Sequence, residues 1–163
     1  MPTIGTKAPR SSADPDRPQP KPARRADDDP SATVGTMLEI SATGDRPLDD
    51  AWDHYVRPAL WSTWAPQIRG VSCADDVIVA GSRGVVRGPL VVRVPFVVES
   101  VDHEGHRWTW RAGVGPLGVR MDHGVEETSN GVRAWARLHL PAPIAMPYAP
   151  IARLALRRLV RTG

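Results

Sequence analysis

Residues 90–140 read LVVRVPFVVESVDHEGHRWTWRAGVGPLGVRMDHGVEETSNGVRAWARLHL, and this stretch decides the fold. Apolar and polar side chains alternate through most of it, which is typical of β-strands with one buried face. Turn residues interrupt the alternation at Asp102–Gly105 and at Ser129–Gly131, where an Asn-Gly pair tolerates positive φ at both central positions. We therefore expect consecutive antiparallel strands along the stretch, with Pro95 marking a bend or a sheet edge.

The residues ahead of this stretch complete the predicted sheet. Met37–Thr43 alternates and is predicted to be the first strand. Pro47 suits the first turn of a short helix capped by Asp45 or Arg46, and residues 60–64 add a second helical turn. Further short strands are expected over Ile68–Ala74, Val77–Ala80 and Ser82–Arg87.

The C-terminus is predicted to be one long amphipathic helix from Pro150 to Arg161, after a stiff proline-rich connection. One face carries four apolar side chains: Ile151, Ala152, Ala155 and Leu159. The opposite face carries a stripe of arginines: Arg153, Arg157 and Arg161. Such a stripe is typical of a solvated face. The alternative is an interaction module that meets an acidic protein or lipid surface.

Strand parity predicts which side chains face this helix. In the last strand, Val132, Ala134, Ala136 and Leu138 share one face, and their small size leaves room for a ligand. In the two preceding strands the apolar faces carry the indoles of Trp108 and Trp110, and Met121 with His123. Because a curved antiparallel sheet packed on one helix tends to enclose a cavity, we expect a ligand pocket between them.

The residues predicted to line this pocket come from the helices and from the inner sheet face: Trp64, Phe96, Trp108, Trp110, Met121, His123, Ala136 and Tyr148. His123 is the one histidine on an otherwise apolar face, so its imidazole needs a partner in a ligand, a backbone carbonyl or Tyr148. It is a structural histidine, a ligand-orienting group or a general acid–base catalyst, and the sequence leaves these alternatives open. Arg93 is expected on the solvent face.

Six tryptophans against one phenylalanine are an unusual ratio. Each indole alone is explained by core packing, but together they would make a wide, flat, apolar wall. The sequence therefore predicts a small hydrophobic ligand that contains a ring, in preference to a plain acyl chain.

Several other functions are not supported by the sequence. His103 and His106 beside Asp102 make a weak metal site in a turn, and Cys73 has no neighbouring base, so neither metal binding nor thiol catalysis is predicted. No phosphate-binding glycine loop or nucleophile elbow is present, and we expect no cofactor. Residues 37–163 hold fifteen arginines, no lysine and thirteen acidic residues, which argues against a nucleic-acid interface.

Composition divides the chain in two. Residues 1–36 contain seven of the seventeen prolines and no aromatic side chain, so we expect a disordered tail ahead of a folded domain at 37–163. Because Met37 stands at the start of the first predicted strand, the sequence leaves open whether translation starts there. The tail lacks the apolar core of a secretory signal, no apolar run is long enough to span a bilayer, and a single cysteine fits a reducing compartment. These features predict a cytoplasmic protein, whose oligomeric state the sequence does not indicate.

Four phrases and the element order carry a family resemblance. The phrases are Trp61–Ile68, Trp108–Trp110, Val119–His123 and Tyr148–Pro150. The predicted order is a strand, two short helices, six antiparallel strands and a long C-terminal helix. Over about residues 37–161, the chain resembles the START-like or SRPBCC superfamily, and most closely its polyketide cyclase/dehydrase branch.

This resemblance implies an α+β helix-grip fold, in which a curved sheet of about seven strands wraps around the C-terminal helix. It also implies a deep pocket for lipids, sterols, polyketides or similar molecules. Because one fold carries many functions, a binding protein is our first expectation. A cofactor-independent cyclase, aromatase or dehydrase, with His123 moving a proton, is the alternative.

Overall fold

Seven antiparallel strands form one sheet in the computed structural model, which describes residues 37–113 and 118–162. The strands are β1 (Met37–Gly44), β2 (Gly70–Cys73), β3 (Arg83–Arg87), β4 (Arg93–Asp102), β5 (Arg107–Ala112), β6 (Val119–Thr128) and β7 (Gly131–His139). Their order across the sheet is β1-β7-β6-β5-β4-β3-β2. The tail predicted for residues 1–36 lies outside the described residues.

Four α-helices and two 3-10 turns accompany the sheet in the part of the chain that the structure describes. They are α1 (Leu48–Val56), a 3-10 turn (Pro58–Leu60), α2 (Trp61–Trp64), α3 (Ala142–Ala145), a second 3-10 turn (Met146–Tyr148) and α4 (Ala149–Leu159). The first three lie in the connection that joins the two edge strands, β1 and β2. No helix among the described residues is both long enough and apolar enough to cross a bilayer.

Helix α1 begins one residue later than predicted and is capped differently. Pro47 takes the N-cap position, without a side-chain cap from Asp45 or Arg46. Asp49 and Asp50 occupy the first turn, where their negative charges interact favourably with the positive end of the helix dipole.

Helix α4 packs against the inner face of the sheet through Ala152, Ala155, Leu156 and Leu159, all of which are buried. Its C-terminal end is held against the turn after β1, because the Arg46 amide donates to the Val160 carbonyl over 2.9 Å. Gly44 makes this contact possible: a Cβ there would overlap the Val160 carbonyl oxygen. Arg153 and Arg157 are exposed, as predicted.

The outer face of the sheet buries one tryptophan. Strand parity places Trp135 on this face, yet its side chain is only 5% exposed. It covers Gly124, its cross-strand neighbour, where a Cβ would overlap the indole. The Arg137 guanidinium lies 4.6 Å from the indole centroid on the same face. A glycine and a tryptophan on adjacent strands therefore fill the volume of two ordinary side chains.

Two segments predicted as strand are not strand. Val77–Ala80 is tied to helix α1 instead of to a neighbouring strand, because the amide of buried Ile78 donates to the Val56 carbonyl over 2.9 Å. Leu90–Val92 forms the turn between β3 and β4, so β4 begins at Arg93. Apolar character alone does not separate these segments from strands.

The prolines and the Asn-Gly pair also behave differently from the prediction. Pro95 lies in an interior strand and its carbonyl accepts from the Gly113 amide, just past the end of β5, while the irregularity in β4 falls between Val98 and Ser100. At the β6–β7 hairpin only Gly131 has positive φ. The proline-rich connection before α4 contains α3 and a 3-10 turn.

Candidate functional site

A cavity of about 410 Å³ lies between the inner face of the sheet and α4. Small side chains line both sides of it: Ala112 and Ala136 on the sheet, and Ala152 and Ala155 on the helix. Because methyl groups face each other where larger residues would interdigitate, the two layers leave space between them. The volume falls within the usual range of small-molecule sites.

One wall of the cavity is a stack of three aromatic rings. Trp108 stacks with Trp61, at 5.6 Å between ring centroids and 22° between planes, and with His123, at 4.3 Å and 14°. Trp108 and His123 are direct cross-strand partners on β5 and β6, so sheet register produces half of the stack. Trp110 and Tyr55 meet these rings edge-on at 5.3 to 5.7 Å.

Hydrogen bonds fix the aromatic side chains that come from the helical segment. The Trp61 indole donates to the Tyr55 carbonyl over 3.0 Å, and the Trp64 indole donates to the His54 carbonyl over 3.1 Å. The buried Tyr55 hydroxyl donates to the Trp135 carbonyl over 3.1 Å. Burial raises the pKa of Tyr55 well above 10, so this phenol stays protonated. The wall is therefore rigid and uncharged.

His123 is 8% exposed, and its Nδ1 has no hydrogen-bond partner among the described residues. Tyr148, one of its predicted partners, accepts from the Gln67 amide over 3.1 Å instead. Burial lowers the pKa of His123 to about 3, because removal from water disfavours the charged ring. The neighbouring carboxylate of Asp122 raises that pKa only in part, and it is hydrogen-bonded to His139 and Thr109. The imidazole is therefore neutral at ordinary pH.

The predicted lining residues, with one exception, border the cavity: Trp64, Trp108, Trp110, Met121, His123, Ala136 and Tyr148. The exception is Phe96, which packs behind the wall at 5.6 Å from Trp61 and 5.2 Å from Trp110. Tyr55, Trp61 and Gln67 line the cavity but were absent from the predicted set. In the sequence, Tyr55 falls on the apolar side of the short helix that follows Pro47, and this helical periodicity is the signal that identifies it.

The residues at the entrance are those that line the cavity and also reach solvent. Pro89 and Val92 are exposed on the β3–β4 turn, and Tyr148 is exposed just before α4. Arg93, next to Val92, points to solvent as predicted. Within the described residues no aspartate, glutamate, lysine or arginine lines the cavity.

The histidines of the β4–β5 turn pack on a tryptophan. His103 and His106 meet the Trp52 ring edge-on, with centroids 5.8 and 5.3 Å away. Among the described residues, no group of three or more histidine, cysteine or acidic side chains is close enough to hold a metal ion. Cys73 is partly buried at the end of β2.

No protein-family model matches the sequence, and no curated protein is significantly similar to it. Solved structures are similar in fold. The crystal structure of Ara h 8.0201 matches with a TM-score of 0.56 at 13% identity, over 76% of this chain and 93% of that one. A structural genomics protein from Nitrosospira multiformis matches with a TM-score of 0.61 at 14% identity, with the same coverage of both chains.

These likenesses confirm the predicted fold. The chain has the helix-grip fold of Bet v 1-like, START/SRPBCC proteins: a seven-stranded antiparallel sheet with a C-terminal helix. Sequence identity this low shows the fold alone, and one fold carries many functions. The polyketide cyclase/dehydrase branch therefore stays a prediction.

Proposed function

We propose that this chain binds a small, uncharged, ring-containing molecule in the cavity between the sheet and α4. The observation that carries the proposal is the cavity itself, about 410 Å³ of space with a rigid aromatic wall. A domain of this size gains stability by filling its core, because each unfilled volume forfeits packing energy. A hollow this large is explained by a molecule that occupies it.

The electrostatics of the wall favour a ligand without charge. No aspartate, glutamate, lysine or arginine borders the cavity in the described residues, and burial holds His123 in its neutral form. A carboxylate or an ammonium group inside would lose its hydration without gaining a counter-ion, which is strongly unfavourable. Four lining residues have a buried polar atom without a partner among the described residues, and these atoms suit a hydroxyl, carbonyl or amide of the ligand: His123, Gln67, Trp108 and Trp110.

The shape of the wall favours a ring. Trp61, Trp108 and His123 present flat faces or edges in a fixed arrangement, and offset or edge-on aromatic contacts gain energy beyond their buried area. A flexible acyl chain gains less from such a wall, because it loses more conformational freedom when it binds.

Calorimetry with three simple probes tests both features. We expect 2-naphthol to bind, 2-naphthoate to bind at least about tenfold more weakly because of its charge, and 1-decanol to bind more weakly than 2-naphthol. Failure of all three probes to bind would overturn the proposal. Equal affinities for 2-naphthol and 2-naphthoate would overturn the proposal that the ligand is uncharged. Tighter binding of 1-decanol than of 2-naphthol would overturn the proposal that the ligand contains a ring.

Two tryptophans give a matched pair of variants for the same measurement. Trp108→Phe replaces the indole of the stack by a smaller phenyl ring, and we expect the affinity for 2-naphthol to fall several-fold. Trp135→Phe makes the same substitution on the outer face of the sheet, where it should leave that affinity unchanged. Equal effects of the two substitutions would mean that the probe does not occupy the cavity.

The alternative functions lack a supporting observation of this kind. Proton transfer by His123 in a cyclase or dehydrase reaction calls for a pKa near the working pH, and a pKa of about 3 makes the imidazole a weak base. An interaction module would use the arginine stripe of α4. Arg153 and Arg157 are exposed, but arginines on any solvated helix face are exposed in the same way, so this observation does not favour the module.

A further inference from the structure

The turn between β3 and β4 has an unusual backbone. Leu90 and Val91 both lie in the left-handed region, with φ of 51° and 61°. The Gly88 amide donates to the Val92 carbonyl over 2.8 Å, and the Val92 amide donates back to the Pro89 carbonyl over 3.1 Å. Tight hairpins with two positive φ angles normally use Asn-Gly, because most residues with a Cβ are disfavoured there and those branched at Cβ are the most strained. The protein therefore holds two aliphatic residues where the backbone disfavours both.

The same two side chains have nothing to pack against. Leu90 is 92% exposed and Val91 is 95% exposed, while the next residue, Val92, is half exposed at the entrance of the cavity. Side chains this exposed bury almost no apolar surface, so they add little to the hydrophobic stabilisation of the fold. Strained backbone of this kind persists most often at functional sites.

Positive charge flanks the turn on both strands. Arg87 and Arg93 are direct cross-strand partners at its base, both are exposed, and neither forms an ion pair with any described residue. Across residues 77–98 the sequence has three arginines and no acidic residue. The turn thus combines a projecting aliphatic pair with two cations behind it.

We propose that the Leu90–Val91 turn docks the protein on an anionic lipid surface. The two aliphatic side chains enter the boundary between headgroups and acyl chains, where their apolar area leaves water. Arg87 lies three residues before Leu90 and Arg93 two residues after Val91, and both reach lipid phosphates with their long side chains. Together with the proposed function, this docking presents the cavity entrance to the bilayer, from which an apolar ligand can enter without crossing water.

Co-sedimentation of the full chain with vesicles tests the proposal. We expect binding to phosphatidylcholine vesicles that contain phosphatidylglycerol, and weaker binding to phosphatidylcholine alone. The double variant Leu90→Asn with Val91→Gly replaces the turn with residues that favour its backbone, so it should fold at least as stably as the wild type. It should nevertheless bind the anionic vesicles at least about tenfold more weakly, because both aliphatic anchors are gone.

Charge reversal at two places separates docking from general attraction. Arg87→Glu with Arg93→Glu should weaken vesicle binding by more than about tenfold. Arg153→Glu with Arg157→Glu makes the same change in net charge on α4, and it should have little effect. Three results would each overturn the proposal: no vesicle binding by the wild type, equal effects of the two charge reversals, or unchanged vesicle binding by the Leu90→Asn, Val91→Gly variant. The Leu90→Asn, Val91→Gly variant should bind 2-naphthol with the wild-type affinity. Failure of the membrane-docking proposal can therefore be distinguished from failure of the cavity proposal.

Discussion

At the scale of single residues, His123 couples burial to pH. Its folded-state pKa of about 3 lies below its ordinary value of 6.5, so between these values the unfolded chain binds a proton that the folded chain does not. The free energy of unfolding should therefore fall as pH decreases below about 6.5, by up to about 1.4 kcal/mol per pH unit from this group.

His123→Phe tests that linkage, because phenylalanine keeps a ring against Trp108 and removes the titration. We expect the wild type to lose stability relative to the variant as pH falls from 6 to 4, by about 1 kcal/mol per unit in urea unfolding. Because the two proteins differ at this position alone, the difference between their profiles reports His123. Parallel pH profiles would mean that His123 is not held neutral by burial.

At the scale of secondary-structure elements, the end of α4 depends on one glycine of β1. Gly44→Ala places a methyl group against the Val160 carbonyl, which is backbone and cannot rotate away. We expect the free energy of unfolding to fall by about 1 to 3 kcal/mol. Gly88→Ala is the control, since its added Cβ meets its nearest atoms at 3.5 Å, an ordinary contact. A similar loss in both variants would remove the α4 contact as the explanation.

Element-scale differences between prediction and structure share a cause. The sequence predicts strand at Val77–Ala80 because the segment is apolar, but the backbone amide of Ile78 finds its partner on α1. Leu90 and Val91 have high strand and core character, yet they form a turn. At Ile78 a hydrogen bond to a residue distant in sequence overrides the local preference for strand. At Leu90 and Val91 a hydrogen bond that closes the turn does so.

At the scale of the whole molecule, the cavity leaves space for a ligand and lowers the stability that a filled core would have. Ala155→Leu adds a branched side chain that points from α4 into the cavity, so we expect stability to be kept or raised by about 0.5 to 2 kcal/mol. Binding of 2-naphthol should weaken at the same time. The control is Ala51→Leu, a fully buried site away from the cavity, which should lose about 1 to 3 kcal/mol by overpacking. Equal destabilisation of both variants, measured in urea, would argue against free space beside Ala155.

Much of the fold and part of the site were readable from periodicity. Alternation in the last three strands placed Trp108, His123 and Ala136 on one face, and the structure buries them together on the inner face of the sheet. Periodicity could not show that Phe96 lies behind Trp110, since both have inward parity and only the depth of packing separates them. It also could not show that Tyr148 pairs with Gln67 instead of His123.

The sequence by itself determined the strand order along the chain, the inward faces of β5, β6 and β7, and the amphipathic character of α4, because alternation and helical periodicity are local properties of a chain. Only the tertiary structure decided that alanines on α4 and on the sheet face each other across an open volume, and that His123 is stacked on Trp108 without a charged partner. Those outcomes depend on which distant residues meet, and on how closely a helix can approach a sheet once its side chains are in place.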